Sequence, residues 1–308
     1  MQGALQLWQE ESTQPNAPET REYTESHCWQ YDIRLRNRVD DLLDAGMTED
    51  YAATLRVSDF EFRQVTSTED KQDLTRFIHR HEWLGNLSQY TTHWYGAYHG
   101  TILAGALLFN MPNAFSKLLG EDTPNLERLI SRGACVSWSP KNLASAFIMS
   151  SIKDMAQTTQ YRLFTAYSDP MAKELGTIYQ ACNFYYLGQT SGAATRHINP
   201  YTGKYVSDRF FRSRSAYKRY AKELGIRWRA DWCHATGMAW DNIPDDIEQQ
   251  LREQSKVKHA ESDSIPVPPK HKYAMLCGAN KKETAQLRAR FSEINKTYEY
   301  PKDRGGVA

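Results

Sequence analysis

The sequence predicts an α/β fold, a mixed central sheet with helices on both faces, extended by helical segments at its N- and C-terminal ends. Three observations predict it. Polar and apolar residues alternate over 60–65, two apolar runs flank a short glycine turn within 94–109, and segments of helical periodicity separate the later strands. Hydrophobic residues make up 40% of the 308 positions, enough to bury a sizeable core.

Residues 10–22 are polar and rich in Pro, Thr and Glu, the composition of a loosely attached segment. Residues 27–45 read as a helix with Trp29, Ile33, Val39, Leu42 and Leu43 on one side. It stops near Gly46, and Thr48 caps a short successor. Phe60 to Val65 alternates as a half-buried strand. Ser67, with Asp70 three residues on, caps a helix whose stripe is Leu74, Phe77 and Ile78. Trp94–Tyr98 and Ile102–Phe109 form a hairpin about His99-Gly100. A strand follows at Leu126–Val136, and Ser139-Pro140 opens a helix that buries Leu143, Phe147, Ile148, Ile152 and Met155. Leu163–Tyr167 is a strand running into Ser168-Asp169-Pro170. A short helix at Thr177–Ala181 and a strand at Phe184–Gly188 come next. Ile247–Val257 is a charged helix, 262–269 a linker, and Lys272–Cys277 a returning strand. The order β, α, β-hairpin, β, α, β, α, β is that of acetyltransferase-type (GNAT) folds, a layout shared by many functions.

No stretch approaches the roughly 18–20 apolar residues that cross a bilayer. The first residues lack the basic-then-apolar layout of a signal peptide. Five scattered cysteines with no CxxC pair suggest neither a disulfide framework nor a cysteine zinc site, and a cytoplasmic location is the expectation. The overall charge of +1 conceals two opposed regions. Residues 1–62 hold thirteen carboxylates against five arginines, a net −8, while residues 196–229 hold ten Lys/Arg against two carboxylates, a net +8. Cations at that density suit a polyanion, because neutralised phosphates release condensed counterions. Tyr201, Tyr205, Phe210, Phe211, Tyr217, Tyr220 and Trp228 interleave them and offer faces for an unpaired base. Tyr217 and Tyr220, three apart, equally fit the buried side of an ordinary helix.

Ser137 to Asn142 leads into a helix, and a helix start with Lys141 beside it suits a phosphate-bearing donor, although an ordinary capped helix shows the same pattern. The glycine-spaced pyrophosphate loop of acetyl-CoA enzymes is absent, and Arg132-Gly133-Ala134 echoes it only faintly. Asp169 stands where a strand ends, the place at which reacting groups gather in open α/β sheets, and Tyr179 follows a short helix later. A turn aspartate and a core tyrosine would look the same. His79 and His81 lie two apart, which is not the i, i+4 spacing of a helical chelating pair.

These features occur together in one family. Leu126-Glu127-Arg128-Leu129, Ser139 to Ser145, Tyr167-Ser168-Asp169-Pro170 and above all Gly176 to Phe184 resemble the phage Mom-type DNA modification proteins. His81-Glu82-Trp83-Leu84-Gly85, Trp94 to Ala97, Asp208 to Arg214 and Lys270-His271-Lys272-Tyr273 match in character, so that the similarity spans about 60–302. The resemblance implies a GNAT-related transferase that converts the exocyclic amine of adenine in DNA to an acyl- or carbamoylmethyl-type derivative and shields phage DNA from restriction. It implies Arg128, Asp169 and Tyr179 as catalytic residues and Ser139, Lys141 and Asn142 at the donor. The donor is acyl-CoA or another acyl or glycyl carrier. Lys204, Arg209, Arg212, Arg214 and Lys218 hold DNA. It also implies a metal, for which His81 is the matching position, although Glu82-Trp83 follows where a tyrosine is expected.

The expected organisation is an acidic helical extension over 1–58, a catalytic domain over 59–240 containing the basic segment, and a C-terminal helix, linker and return over 241–308. Two further functions fit the same residues. One is acyl-CoA-dependent N-acylation of an aminoalkyl-modified base or another amine. The other is a non-catalytic DNA-binding or DNA-mimicking accessory role with the acidic N-terminal region as its working surface.

Overall fold

The computed structural model describes residues 28–88, 90–112, 115–121, 123–190, 194–203, 205–234 and 237–302. The segment 10–22 and Lys204 lie outside the described residues. The chain divides into two compact units, one of residues 1–190 and 270–308 and one of residues 191–269. This division does not follow the boundaries near 58 and 240 drawn from composition. Residues 28–58 are grouped with the sheet, and the basic segment is grouped with the helix that follows it.

In the first unit, α1 (Trp29–Asp44) ends ahead of Gly46, whose φ of +62° favours a residue without Cβ. The Thr48 hydroxyl accepts from the Tyr51 amide and starts α2 (Glu49–Thr54). β1 (Glu61–Gln64) precedes α3 (Thr68–His81), where Ser67 Oγ accepts from the Asp70 amide at 3.1 Å. β2 (Thr91–His99) and β3 (Ile102–Asn110) form the hairpin, turning at Gly100 with φ +57°. β4 (Glu127–Cys135), α4 (Leu143–Thr158), β5 (Leu163–Ser168), α5 (Thr177–Ala181) and β6 (Tyr185–Gln189) follow.

The second unit interrupts the first in sequence. It contains β7 (Ala194–Ile198), β8 (Tyr205–Val206), α6 (Arg214–Glu223), β9 (Cys233–His234), β10 (Gly237–Met238), α7 (Asp245–Ala260) and β11 (Ser264–Val267). Part of the expected linker is therefore a strand, because Ser264–Val267 finds backbone partners along β7. The chain then returns as β12 (His271–Leu276) and α8 (Lys281–Ile294).

The main sheet has the order β1-β2-β3-β4-β5-β12-β6, in which β4 and β5 are the parallel pair and the other neighbours are antiparallel. Helices cover both faces. Phe62 stacks on Phe147 of α4 with centroids 5.2 Å apart, and the Tyr95 hydroxyl donates to Asp154 of the same helix. Arg63, the next residue of β1, points to the opposite face and lies over the Tyr98 ring, which feels the charges of Asp70 and Asp73 on α3.

One local expectation needs correction. Ser139-Pro140 does not open α4. The helix begins at Leu143, after Asn142 takes a left-handed conformation with φ +72°, and the Ser139 hydroxyl instead accepts from Arg34. Arg132-Gly133-Ala134 is not a phosphate loop, since all three residues are laddered to β3.

Gly176 is fixed twice over. Its φ is +70°, and a Cβ there would lie 2.5 Å from the Tyr273 ring. Tyr273 is fully buried and its hydroxyl donates to the Leu175 carbonyl, so the ring has nowhere to go. Gly176→Ala should therefore lower unfolding free energy on the order of 2–3 kcal/mol in a urea titration. An unchanged midpoint would show that this turn is free to relax.

Candidate active site

Pairing between β4 and β5 begins at Glu127↔Leu163 and stops at Ile130↔Ala166, although β4 runs on to Cys135 and β5 to Ser168. Past that point the two strands part, and the Ser131 carbonyl is taken by the Arg132 guanidinium at 2.5 Å. Both strand ends lie at the same edge of the sheet, where a parallel pair presents its C-terminal groups.

Asp169 directly follows β5 and is buried. Its Oδ1 accepts from the Met171 amide at 3.0 Å, holding the turn Pro170–Ala172, and Lys270 Nζ lies 3.0 Å from Oδ2. Lys270 stands there because β12 pairs with β5 in the register His271↔Ser168. The Asp169 amide donates to Glu174 Oε2 at 3.3 Å. Burial pushes the Glu174 carboxyl up to about 7. The neighbouring charges of Glu82 and Asp169 act in the same direction, while hydrogen bonds from the Asp169 amide and the Trp83 side chain oppose it.

Glu82 ends α3, is buried, and accepts from the Gly85 amide at 2.6 Å. Arg132 Nε lies 3.8 Å from the Glu82 carboxylate and donates to the Asn86 carbonyl at 2.7 Å. Tyr179, on α5, packs between Phe184 and Tyr273 with ring centroids 5.4 Å from each. Burial, then the charges of Glu174 and Glu82, raise its phenol well above the ordinary tyrosine range, with Arg132 opposing. Near neutrality it is therefore a proton donor, not a phenolate.

Asp169 and Tyr179 are thus linked through Glu174. Arg128 is not part of the group. It pairs in register with Phe164 near the start of β5, roughly 16 Å along the strand from Asp169 by the usual rise per residue. It is buried against the Tyr161 ring at 3.6 Å and donates to the Tyr161 hydroxyl and the Glu127 carbonyl. The arginine in reach of the group is Arg132. The sequence does not single out Arg132, Glu82, Glu174 or Lys270 as site candidates. The only signal was that Glu82 and Lys270 stand in segments of family character.

The loop after β4 carries Ser139 and Lys141. With Arg38, Ala52, Leu55, Arg56 and Trp138 they line a cavity of about 500 Å³, in which the Arg38 guanidinium is held by Glu49 and the Ser137 carbonyl and Arg56 and Lys141 are the other cations. The loop is gripped by α1. The Ser137 amide donates to Asp41 Oδ2 at 3.0 Å, the Ser137 carbonyl accepts from Arg38 at 2.9 Å, and the Trp138 indole donates to the Asp41 carbonyl at 3.1 Å. Asn142 caps α4 from its left-handed position without a side-chain hydrogen bond to that helix.

His81 lies at the end of α3, buried against Phe77, with Nδ1 3.4 Å from the Asn37 amide nitrogen and 3.7 Å from Asp41. Burial lowers its pKa to about 4, outweighing the attraction of Asp41. Among the described residues it belongs to no group of three His, Cys, Asp or Glu side chains with converging ligand atoms. These surroundings do not fit a metal centre.

In the second unit, α6 buries Ala216, Tyr217, Tyr220 and Ala221 and exposes Arg214, Lys218 and Lys222 at i, i+4, i+8 spacing. Phe211 is also buried. Tyr217, Tyr220 and Phe211 therefore serve the core and are withdrawn from any base-stacking surface. Arg209 and Arg212 are exposed beside the helix, and Arg214 donates to the His234 carbonyl at 2.8 Å. Tyr201 stays exposed, with Arg219 over its ring at 4.0 Å. Among the described residues, no helix is long and apolar enough to cross a membrane.

The profile of the Mom protein family matches residues 60–239. No curated protein matches the chain. Among solved structures, a Bacillus subtilis acetyltransferase in complex with CoA is 10% identical, covering 71% of this chain and 99% of that one at a TM-score of 0.33. RimL, the ribosomal L7/L12 alpha-N-protein acetyltransferase, is 13% identical over 72% of this chain and 95% of its own, also at 0.33. A GNAT family acetyltransferase from Elizabethkingia anophelis with acetyl-CoA bound is 9% identical over 71% and 99%, at 0.31.

Glu174 ties the group to pH. A carboxyl at about 7 in the fold and 4.5 ordinarily stays protonated in the folded chain while the unfolded chain ionises. The stability this provides is complete below about pH 4.5 and is lost as pH rises to about 7, on the order of 3 kcal/mol. Glu174→Gln should flatten that part of the stability curve, read from denaturant midpoints at each pH. An identical curve for the variant would remove Glu174 from this role.

Proposed function

The chain belongs to the Mom protein family, and on that footing we propose that it is a transferase that adds an acyl- or carbamoylmethyl-type group to the exocyclic amine of adenine in DNA. The observation that carries this reading is the group at the end of the diverging strands: Asp169, Glu174, Tyr179 and Lys270, with Glu82 and Arg132 beside them. A carboxyl that titrates near neutrality and a phenol that stays protonated supply a proton acceptor and a proton donor within one electrostatic network.

The adenine amine is a weak nucleophile, because its lone pair is drawn into the ring, so orientation and charge placement must supply much of the rate. In the proposed step the amine nitrogen bonds to the electrophilic carbon of the donor, and the bond from that carbon to the leaving group breaks. The amine proton passes to the Glu174 carboxylate, and the Tyr179 hydroxyl protonates the leaving group. Asp169, held by Lys270 and the Met171 amide, fixes the Glu174 segment through its own backbone amide. Arg132 lies where charge developing on the donor is partly neutralised. Arg128 is placed to support β4 from below this edge.

The donor is acyl-CoA or another acyl or glycyl carrier. Its phosphates suit the cavity that Arg56 and Lys141 line beside Ser139. DNA phosphates suit Arg209, Arg212, Arg214 and Lys218, with Lys204 adjoining in sequence, since charge on an exposed helix face neutralises a backbone without reading its sequence. The cationic cavity equally serves acyl-CoA-dependent acylation of an aminoalkyl-modified base, which is the second reading.

Nucleoside mass spectrometry on DNA from cells expressing the chain should show a mass shift on deoxyadenosine. Asp169→Ala and Tyr179→Phe should each reduce the modified fraction by about a hundredfold. An acylated pyrimidine would select the second reading, and unmodified DNA at full expression would overturn both. Binding of a DNA duplex should weaken with salt, and Lys218→Glu should lower the slope of that dependence by about one ion. An unchanged slope would take α6 out of the DNA contact.

A further inference from the structure

The second unit contains a side-chain group that the proposed reaction does not use. His197 on β7, Asp208 at the start of the turn Asp208–Arg212, and His259 in the last turn of α7 bring three ligand atoms within 4.8 Å of one another. His197 Nε2 is 2.7 Å and His259 Nε2 3.1 Å from the same oxygen, Asp208 Oδ1. The two imidazole rings sit 4.3 Å apart, and the buried Phe211 packs edge-on against both.

The hydrogen bonds around the group suit a cation at its centre. The Ser262 hydroxyl gives its one hydrogen to the His259 carbonyl at 2.7 Å. With that hydrogen on the carbonyl, the hydroxyl is an acceptor toward His197 Nδ1, 2.8 Å away, in the tautomer that carries its hydrogen on Nδ1. A neutral imidazole protonated at Nδ1 presents a lone pair at Nε2, and that lone pair faces a carboxylate oxygen at 2.7 Å. Two electron-rich atoms at this distance repel unless a cation lies between them or His197 holds a second proton. The Nδ1–H to hydroxyl contact is also the outer hydrogen bond that orients a metal-ligating histidine. Two imidazoles and a carboxylate, drawn from three separate elements and aimed at one point, are a donor set for zinc-class ions.

We propose that His197, Asp208 and His259 bind one divalent transition-metal ion of the zinc class, with Ser262 orienting His197. The ion ties β7 and the Asp208 turn to the C-terminal end of α7. The unit's own apolar cluster around α6 and α7 is small, with five fully enclosed members, Ala216, Tyr217, Tyr220, Ala221 and Leu251. Units of this size gain much from a metal clamp. The fourth coordination position faces outward, because Asp208 and His259 are about half exposed. The clamp therefore holds the segment that presents the exposed cations Arg209 and Arg212. It does not depend on the proposed base modification.

The test is a titration of Zn²⁺ alone into the chelator-treated full chain, with stoichiometry by calorimetry and elemental analysis. One equivalent should bind, and chelation should speed proteolysis within 191–269. His197→Ala, Asp208→Asn and His259→Gln should each weaken binding by at least about tenfold, as should Ser262→Ala. His259→Gln changes a half-exposed position and is expected to keep the fold, which circular dichroism checks. No uptake by the unaltered chain, or equal uptake by the His197 and His259 variants, would overturn the proposal and leave His197 and Asp208 as a hydrogen-bonded pair. Modification of DNA is read separately, so a negative zinc result leaves the proposed reaction standing and a lack of modification leaves the metal site standing.

Discussion

Parallel pairing between β4 and β5 lasts for four residues on each strand and ends at Ile130 and Ala166, while both strands continue. A sheet that stayed closed would spend those backbone groups on its own ladder. Because the strands part, the carbonyl of Ser131 turns to a guanidinium, and the turn after β5 carries Asp169 to the same edge as the loop after β4. The group around Asp169 and the loop after β4 owe their common edge to this divergence. Neither Glu174 nor Tyr179 belongs to a strand, yet both are positioned by segments that leave β5 at that point.

Much of the fold was legible from local pattern. Alternation marked β1, the glycine turn marked the hairpin, and hydroxyl caps at Thr48 and Ser67 marked two helix starts that the structure keeps. Local pattern failed where a distant partner or a backbone conformation decided the outcome. Asn142, left-handed, starts α4 three residues later than the proline signal suggested. Ser264–Val267 reads as a linker because its strand character depends on β7, about seventy residues earlier in the chain.

The site was legible in part for the same reason. Asp169 and Tyr179 stand beside recognisable turn chemistry. Glu174 looks like any surface glutamate until burial and two neighbouring carboxylates are in place. Lys270 is about a hundred residues from the aspartate it pairs with. Arg128 drew attention by its position in a family-like segment, and the structure gives it an aromatic shelf at the opposite end of the strand. The tyrosines of α6 illustrate the converse: their three-residue spacing described a buried face, and that is where they lie.

The place of β12 has a consequence for how the protein is made. Among the described residues, the strand between β5 and β6 is the last strand in sequence, so a nascent polypeptide leaving the ribosome has β5 and β6 available long before the residues that join them. Until residue 276 emerges, β5 offers an open edge, and Asp169 lacks its lysine. Residues 191–269 are by then fully synthesised and can settle first, as a domain folding during translation does. Synthesis that stalled anywhere in that stretch would release a chain with an unpaired strand beside an incomplete sheet edge, a species suited to chaperone capture or aggregation.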